Sequence, residues 1–358
     1  MLALRNWTAM VTLPTAGANL VGLSREELEQ LAVACGQARY RGRQLFRGIY
    51  ARREQVFSNF TDLNGEFRTL LARECRIGYP EVQREFVSRD GAVRYVLRLE
   101  DGKTIEAVHM PERGRSTLCL SSQVGCALDC KFCFTALLGL ARNLTAGEIA
   151  GQVLALLQAQ RIPRRARLNV VFMGMGEPLL NLAAAMHAVR IMADADGLAI
   201  PLQRITLSTA GIVPRIYDLA NEPMRPKLAV SLNASTEEQR TALMPLNRKY
   251  PLCELLQACR AYPLRPRERL TFEHVLLKGI NDSDADAERV GALLHGIRAK
   301  VNLIPYNSGQ ELSYGPPPLA RVLAFQGALT RQGVPAFIRI SRGQDVRAAC
   351  GQLSLAGS

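Results

Sequence analysis

Lysine is scarce in this chain. Of its 45 basic residues only six are Lys, so 39 are Arg, and against 32 acidic residues they leave a net charge of +13. Long apolar runs are also lacking. No stretch approaches the roughly 18 residues of a membrane span. Residues 1–20 carry Arg5 as their single charge, with no clean apolar core and no cleavage pattern, so no secretory signal is read there. Repeats and low-complexity segments are missing as well. A chain of 358 residues, 48% hydrophobic and 22% charged, is neither disordered nor collagen-like. Its length suits one large domain plus an accessory module, and its expected compartment is the cytoplasm.

What is abundant is Arg. Guanidinium groups grip phosphate in a bidentate way and stack on bases, so an Arg-heavy surface favours a nucleic-acid partner. Genomic base bias accounts for Arg over Lys, but less well for the excess of positive charge. The nine cysteines are many and odd in number, and three of them, Cys126, Cys130 and Cys133, fall within eight residues. Clustered thiols in a reducing compartment point to metal rather than to a disulfide framework.

Residues 1–80 read as a helical module. Ser24 and Glu27 form a capping box, Leu23 and Leu28 fit the accompanying staple, and Leu28, Leu31, Ala32 and Cys35 keep the helical period. Arg39, Arg41, Arg43, Arg47, Arg52 and Arg53 follow with no acid among them and with Tyr40, Phe46 and Tyr50 interleaved. That pattern predicts a phosphate-contacting face with stacking aromatics. The alternative is a solvated basic face whose aromatics are core. Cys75 has a polar context and reads as incidental.

Residues 81–114 read as an antiparallel β extension, with Val93, Tyr95, Leu97 and Leu99 alternating and hairpin turns at Asp90-Gly91 and Asp101-Gly102. From 115 to 340 strands and helices alternate. Strands are expected at 116–121, 168–173, 204–209, 228–233, 270–276 and 301–306, with a last strand at 336–341. Helices are expected at 145–160, 181–193, 252–261, 284–298 and 317–332, the first with a Thr145–Glu148 capping box. About six strand–helix units imply parallel strands in an open, partial barrel, with ligands at the C-terminal strand ends. A tail, 341–358, follows.

Cys126-x-x-x-Cys130-x-Phe132-Cys133 comes directly after the first barrel strand. Three thiolates at this spacing suit one cubane iron–sulfur cluster whose fourth iron has no protein ligand. A structural zinc site would want a fourth Cys or His, and the nearest His, His109, is seventeen residues upstream. Cys253 and Cys259 lie in helical surroundings and read as packing residues.

The spacing, the aromatic before the last Cys and the position after strand one resemble the radical S-adenosylmethionine (SAM) superfamily. That resemblance implies a [4Fe-4S] cluster on Cys126, Cys130 and Cys133, whose open iron binds SAM and whose reduced form cleaves it to a 5′-deoxyadenosyl radical. It also implies SAM contacts from Gly176 and Glu177 in Gly174-Met175-Gly176-Glu177-Pro178. Further contacts are implied from Ser208, from Ser231-Leu232-Asn233, and from Asn307 after Asn302-Leu303-Ile304-Pro305-Tyr306. Many relatives carry His at the place of Asn233.

The tail, Arg342-Gly343-Gln344-Asp345 leading to Ala348-Ala349-Cys350-Gly351-Gln352-Leu353, together with Thr117-Leu118-Cys119-Leu120-Ser121-Ser122-Gln123-Val124-Gly125-Cys126, closely resembles the RlmN/Cfr family of RNA adenosine methyltransferases over nearly the whole chain. The fold so implied is a partial (β/α)6 barrel. The activity is methylation of adenosine 2503 in 23S rRNA, and of adenosine 37 in certain tRNAs, at C2. The C8 (Cfr-type) reaction shares every residue named.

The target carbon belongs to an electron-poor ring, so polar displacement on SAM fails and a carbon radical is needed. The resemblance implies that Cys350 takes a methyl group from one SAM and that a second SAM generates the radical on it. Cys119 then releases the tethered base by forming a disulfide, and Glu106 in Thr104-Ile105-Glu106-Ala107-Val108 removes the ring proton. A flavodoxin or ferredoxin would supply electrons to a monomeric enzyme. Two other readings compete. A non-catalytic RNA-binding iron–sulfur protein would make Cys350 and Cys119 dispensable. A radical SAM enzyme acting on a peptide would leave the Arg-rich module unexplained.

Overall fold

The computed structural model describes residues 17–309 and 311–354. Residues 1–16, where most of the signal-peptide reading falls, and the last four residues of the tail lie outside the described residues.

The first module is held by its caps and a small core. Helix α1 (Arg25–Ala34) starts at the expected box: Ser24 Oγ accepts from the Glu27 amide at 3.2 Å, and the Glu27 carboxylate accepts from the Ser24 amide at 2.7 Å. Helix α2 (Tyr40–Phe46) runs into a π-turn over Arg47–Ala51, and α3 (Gly65–Glu74) is capped by Asn64, which accepts from Phe67 at 2.8 Å. Leu28, Leu45, Phe46, Ile49, Tyr50, Phe60 and Phe67 form the core, closed by Ala150, Leu154 and Ile191 of two later helices. Each large apolar side chain so buried stabilises the module by about 1.5–3 kcal/mol. Gly48 permits the closest approach, since a Cβ there would meet the Phe60 ring at 1.9 Å. A two-residue parallel pair, Ala18–Asn19 with Cys75–Arg76, ties the ends of the module together and was not expected from the sequence. It takes Cys75 into this core, where a polar context had marked it as incidental.

The rest is built on a ten-stranded sheet with strands β1 (Glu81–Val87), β2 (Val93–Arg98), β3 (Thr104–Glu112), β4 (Arg115–Cys119), β5 (Leu168–Phe172), β6 (Ile205–Thr209), β7 (Lys227–Ser231), β8 (Leu270–Leu276), β9 (Ala299–Pro305) and β10 (Ala336–Ile338), neighbours in that order, while a separate antiparallel pair, Gln123–Gly125 with Leu140–Asn143, brackets the cysteine loop. The first four pair antiparallel, so the extension continues the barrel's own sheet. From β4 onward every pairing is parallel. The two end strands, β1 and β10, do not meet, which leaves the barrel open. Crossover helices include α4 (Ala146–Ala159), α5 (Leu182–Ala193) and α6 (Val213–Ala220). The last of these escaped the sequence reading because it is short and carries Pro214 in its first turn, a position where proline is tolerated.

Two expected elements are shorter than read. The helix expected over 284–298 spans Asp284–Leu293, since Gly296 adopts φ +75° just beyond it. The last strand stops at Ile338, and beyond it the backbone continues the ladder through one bond from Arg339 N–H to Leu303 O at 2.8 Å. Among the described residues no helix is long and apolar enough to cross a membrane.

Candidate active site

The C-terminal strand ends surround a solvent-open cavity of about 170 Å³. Cys126, Cys130 and Cys133 form one wall. Gly176, Glu177, Ser208, Ser231, Asn233, Glu273 and Cys350 also line it. The cysteine loop is fixed by its main chain: Cys126 N–H donates to Gly139 O at 2.9 Å, Lys131 N–H to Leu243 O at 2.9 Å, and Cys133 N–H to Cys130 O at 3.0 Å. Burial pushes all three thiols up, Cys126 to about 12. Cys130 feels both of the others. The nearby guanidinium of Arg240 pulls it the other way. Among the described residues no three ligating side chains converge tightly enough for a single metal ion. Soft thiol donors spread round one cavity fit a multi-iron cluster, which would bind them as thiolates.

Glu177 is the most constrained acid in the site. Its carboxylate accepts from Leu179 N–H at 3.0 Å and from Ala210 N–H at 2.8 Å, which joins the ends of β5 and β6. Burial still dominates and pushes it up to about 7, against those amides and the Thr209 hydroxyl. Gly176 sits at φ +97°, and a Cβ there would strike Gln123 Cβ at 2.5 Å. That close approach lets Gln123 Oε1 take the Glu177 amide at 2.9 Å.

The other expected cofactor contacts divide. Ser208, Ser231 and Asn233 line the cavity. Asn233 holds φ +57°, a left-handed conformation that Asn tolerates. Its amide is already engaged, accepting from Val275 N–H at 2.8 Å and donating to Met244 Sδ at 3.4 Å. The Leu232 side chain is in the hydrophobic core. Asn307 is not part of the lining. It donates to Cys350 O at 3.1 Å and accepts from Gln344 at 2.7 Å, so it anchors the tail.

The tail folds back over the mouth. Asp345 accepts from Ser88 at 2.5 Å and Arg89 at 3.1 Å, while Phe134 N–H donates to Gly351 O at 2.8 Å and Thr135 to Leu353 O at 2.6 Å. Cys350 thereby opens on the same cavity as the three clustered thiols. Cys350 is exposed at the cavity mouth, yet atoms crowd round it there, and that desolvation pushes its thiol up to about 11, with Glu273 the largest electrostatic contributor after that. Cys119, at the end of β4, lies beneath the lining. Burial raises its thiol far above the usual range, and Cys350 is the next cause, so Cys119 lies in the field of Cys350. All nine cysteines are free thiols. Cys259 is buried as expected of a packing residue, whereas Cys253, given the same role, is exposed on the rim of its helix.

Glu106 does not reach the cavity lining. It is fully buried on β3 in an ion pair with Arg94, across the ladder from Val96. Two residues were missed from the sequence. Glu273 is a buried acid inside apolar β8, accepting from Asn302 at 2.9 Å and raised by burial. An acid in the middle of Leu270-Thr271-Phe272-Glu273-His274-Val275 was the signal. Arg240 is fully buried and donates to Ala210 O at 2.6 Å, Ser231 O at 3.2 Å and Asn247 at 3.0 Å, clamping two strand ends. Nothing in its helical context marks it.

The N-terminal arginines have partners within the chain that the sequence did not suggest. Acids distant in sequence meet them: Arg39 pairs with Glu29 at 2.7 Å, Arg43 and Arg47 with Asp196 at 2.6 Å each, and Arg52 with Asp62 at 2.8 Å. Arg41 and Arg53 donate to the carbonyls of Asp62 and Ile162, each at 2.6 Å. Phe46 and Tyr50 are core, and Tyr40 alone of the three aromatics is exposed.

Comparison with known proteins agrees with this geometry. Residues 120–289 match the radical SAM superfamily, and residues 18–77 match the ribosomal RNA large subunit methyltransferase N-terminal domain. The chain is 50% identical over 335 residues to a probable dual-specificity RNA methyltransferase RlmN of Koribacter versatilis, covering 89% of this chain and 96% of that one. It is 49% identical to the dual-specificity RNA methyltransferase RlmN of Syntrophobacter fumaroxidans, covering 91% and 95%. A crystal structure of a radical SAM methyltransferase from Sphaerobacter thermophilus superposes with a TM-score of 0.89 at 44% identity, over 94% of this chain and 99% of that one. The chain belongs to the RlmN family of dual-specificity RNA methyltransferases within the radical SAM superfamily.

Proposed function

We propose that this protein methylates C2 of adenosine 2503 in 23S rRNA and also of adenosine 37 in tRNA, a reading in keeping with relatives named dual-specificity RNA methyltransferases. The observation that carries the reading is Cys350 on the same cavity as Cys126, Cys130 and Cys133. A non-catalytic iron–sulfur protein has no use for a fourth thiol held there by a tail with its own anchors.

When bound, the cluster and SAM supply a transferable methyl group and a one-electron route to a carbon radical. Cys126, Cys130 and Cys133 would hold the cluster as thiolates. Gly176 and Glu177 present backbone and carboxylate to the SAM amino group, and Ser208, Ser231 and Asn233 offer polar atoms across the cavity. Leu232 contributes main chain, and Asn307 serves the site through the tail it anchors.

Cys350 carries the methyl group. Its thiol is protonated at neutral pH, so it must lose a proton before it can act as a nucleophile. Cys119, within the field of Cys350, is the thiol that frees the tethered base. Its thiolate attacks the Cys350 sulfur, and an S–S bond forms as the bond from that sulfur to the base's methylene carbon breaks. The electron pair leaves on that carbon, which takes up a proton and becomes the methyl group. Glu106 is the base proposed for the ring proton. It enters the reaction as half of an ion pair with Arg94, so taking up a proton must displace that pairing. Electrons come from a small redox protein such as a flavodoxin or ferredoxin, and the enzyme works as a cytoplasmic monomer.

The test is to incubate anaerobically reconstituted protein with methyl-labelled SAM and weigh the peptide bearing Cys350. One added methyl group is expected. An unmodified Cys350 in protein with an intact cluster would overturn the scheme. Nucleoside analysis of the RNA product then distinguishes C2 from C8.

A further inference from the structure

The open edge of the sheet carries a second basic region, unlike the first. Partner residues in a parallel ladder share a face. The pairings Ser231 with Glu273, Glu273 with Asn302, and Asn302 with Phe337 therefore put these four on one face, the face whose Ser231 and Glu273 line the cavity. By the same alternation, Lys227 and Arg269 lie on this face four residues before Ser231 and Glu273. Lys300 lies two before Asn302, and Arg339 two after Phe337.

These groups form one cluster. Lys300 Nζ lies 6.0 Å from the Phe337 ring centroid. Burial, then Arg339 and Lys227, hold the Lys300 ammonium below its usual range, with Arg269 acting the same way and Glu273 opposing. None of the four cations has an ion-pair partner among the described residues. β10 is the terminal strand of the sheet, so nothing pairs beyond it. Phe337 is 51% exposed and Ile340 is 87% exposed. A set of cations gathered on one face around a half-buried Lys300, beside an exposed aromatic, is complementary to a polyanion that carries flat bases.

We propose that this inner edge is the track on which the substrate RNA strand lies: Lys300 and Arg339, with Lys227 and Arg269 beyond them, hold phosphates flanking the target nucleotide, and Phe337 stacks a neighbouring base. The target base then enters the cavity beside Cys350 from the open side of the barrel. This rests on the RNA-methyltransferase reading above. It assigns the phosphate contacts to cations that the chain leaves unpaired, rather than to the Arg-rich helices whose charges are already engaged.

The experiment is equilibrium binding of an unmethylated RNA hairpin carrying the target adenosine, measured over a range of KCl concentrations with the full-length protein. Removing two phosphate contacts in Lys300→Gln/Arg339→Gln is expected to flatten the slope of log K against log salt by about 1.4, at roughly 0.7 per single-strand contact. Each single variant loses about half of that, and Arg339→Lys keeps it. Phe337→Ala weakens binding roughly tenfold with the slope unchanged, because stacking releases no counterions. Arg43→Gln/Arg47→Gln keeps both slope and affinity. An unchanged slope in the first double variant, or an equal loss in the second, overturns the proposal. A wild-type protein that does not bind the hairpin at all overturns the RNA reading instead.

Discussion

The two basic regions of this molecule differ in how their charges are met within the chain. Around α2 six arginines share three acids, Glu29, Asp62 and Asp196, and two main-chain carbonyls, with Phe46 and Tyr50 buried beneath them and Tyr40 exposed. On the inner edge of the sheet Lys227, Arg269, Lys300 and Arg339 form no ion pair among the described residues, although Glu273 attracts Lys300 and Arg339 through space, and the aromatic beside them is exposed. A charge already neutralised within the chain stabilises the fold and has little left for a ligand. A charge left unneutralised lowers stability slightly and is retained for something that binds. Counting basic residues along the chain measures neither, since the acids that decide the matter come from distant segments.

That contrast is sharpest at the mouth of the cavity, where a substitution should remove function and leave stability alone. Cys350→Ala is expected to abolish methyl transfer to RNA while the cluster absorbance and melting temperature stay at wild-type values. Labelled-methyl incorporation alongside a thermal melt checks it, and full activity would remove Cys350 from the mechanism. Cys119→Ala should keep methyl loading of Cys350 but accumulate a covalent protein–RNA adduct, visible as a shifted band on a denaturing gel. Normal turnover without an adduct would exclude Cys119 as the resolving thiol.

In the N-terminal module the pattern should reverse. Asp196→Asn strips the partner from Arg43 and Arg47 and weakens the contact with Arg25, at a cost of about 1–2 kcal/mol for several partly exposed pairs. Urea unfolding should report that loss, with methylation per folded molecule unchanged. A pH series adds the sign. Arg43 and then Arg47 hold the Asp196 carboxyl down at about 2, so its contribution is complete above the ordinary carboxylate range and is lost as pH falls through that range towards 2. The variant should lack that acid limb. A variant that kept its stability but lost RNA affinity would break the comparison. The smallest effect is Tyr50→Phe, which removes a hydroxyl that accepts from Gly22 N–H at 2.8 Å and donates to Leu23 O at 3.1 Å. A loss of about 1 kcal/mol in the same unfolding assay is expected.

Much of the barrel is legible in the sequence, because its strands are apolar runs separated by capped helices. The boxes at Ser24 and Thr145 form as read. The cysteine loop is legible because its ligands are adjacent in sequence. Arg240, Glu273 and the ion pair of Glu106 with Arg94 are not. Each depends on which strands become neighbours, and pairing partners up to tens of residues apart leave no local periodic signal. Asn307 illustrates the same limit: its place after β9 is readable, but its use as an anchor for Cys350 depends on where the tail returns.

The sequence by itself determined the alternation of strands and helices, the three-thiol loop and the presence of Cys119 just before it and of Cys350 near the other end of the chain. Those features are local, set by side-chain period, capping chemistry and ligand spacing. Only the tertiary structure decided that Cys350 meets the clustered thiols across one cavity, that Glu106 is committed to Arg94, and which arginines are neutralised and which cations stay unpaired. Charge compensation and burial act through space, so they are fixed only when the sheet register brings distant residues to one face.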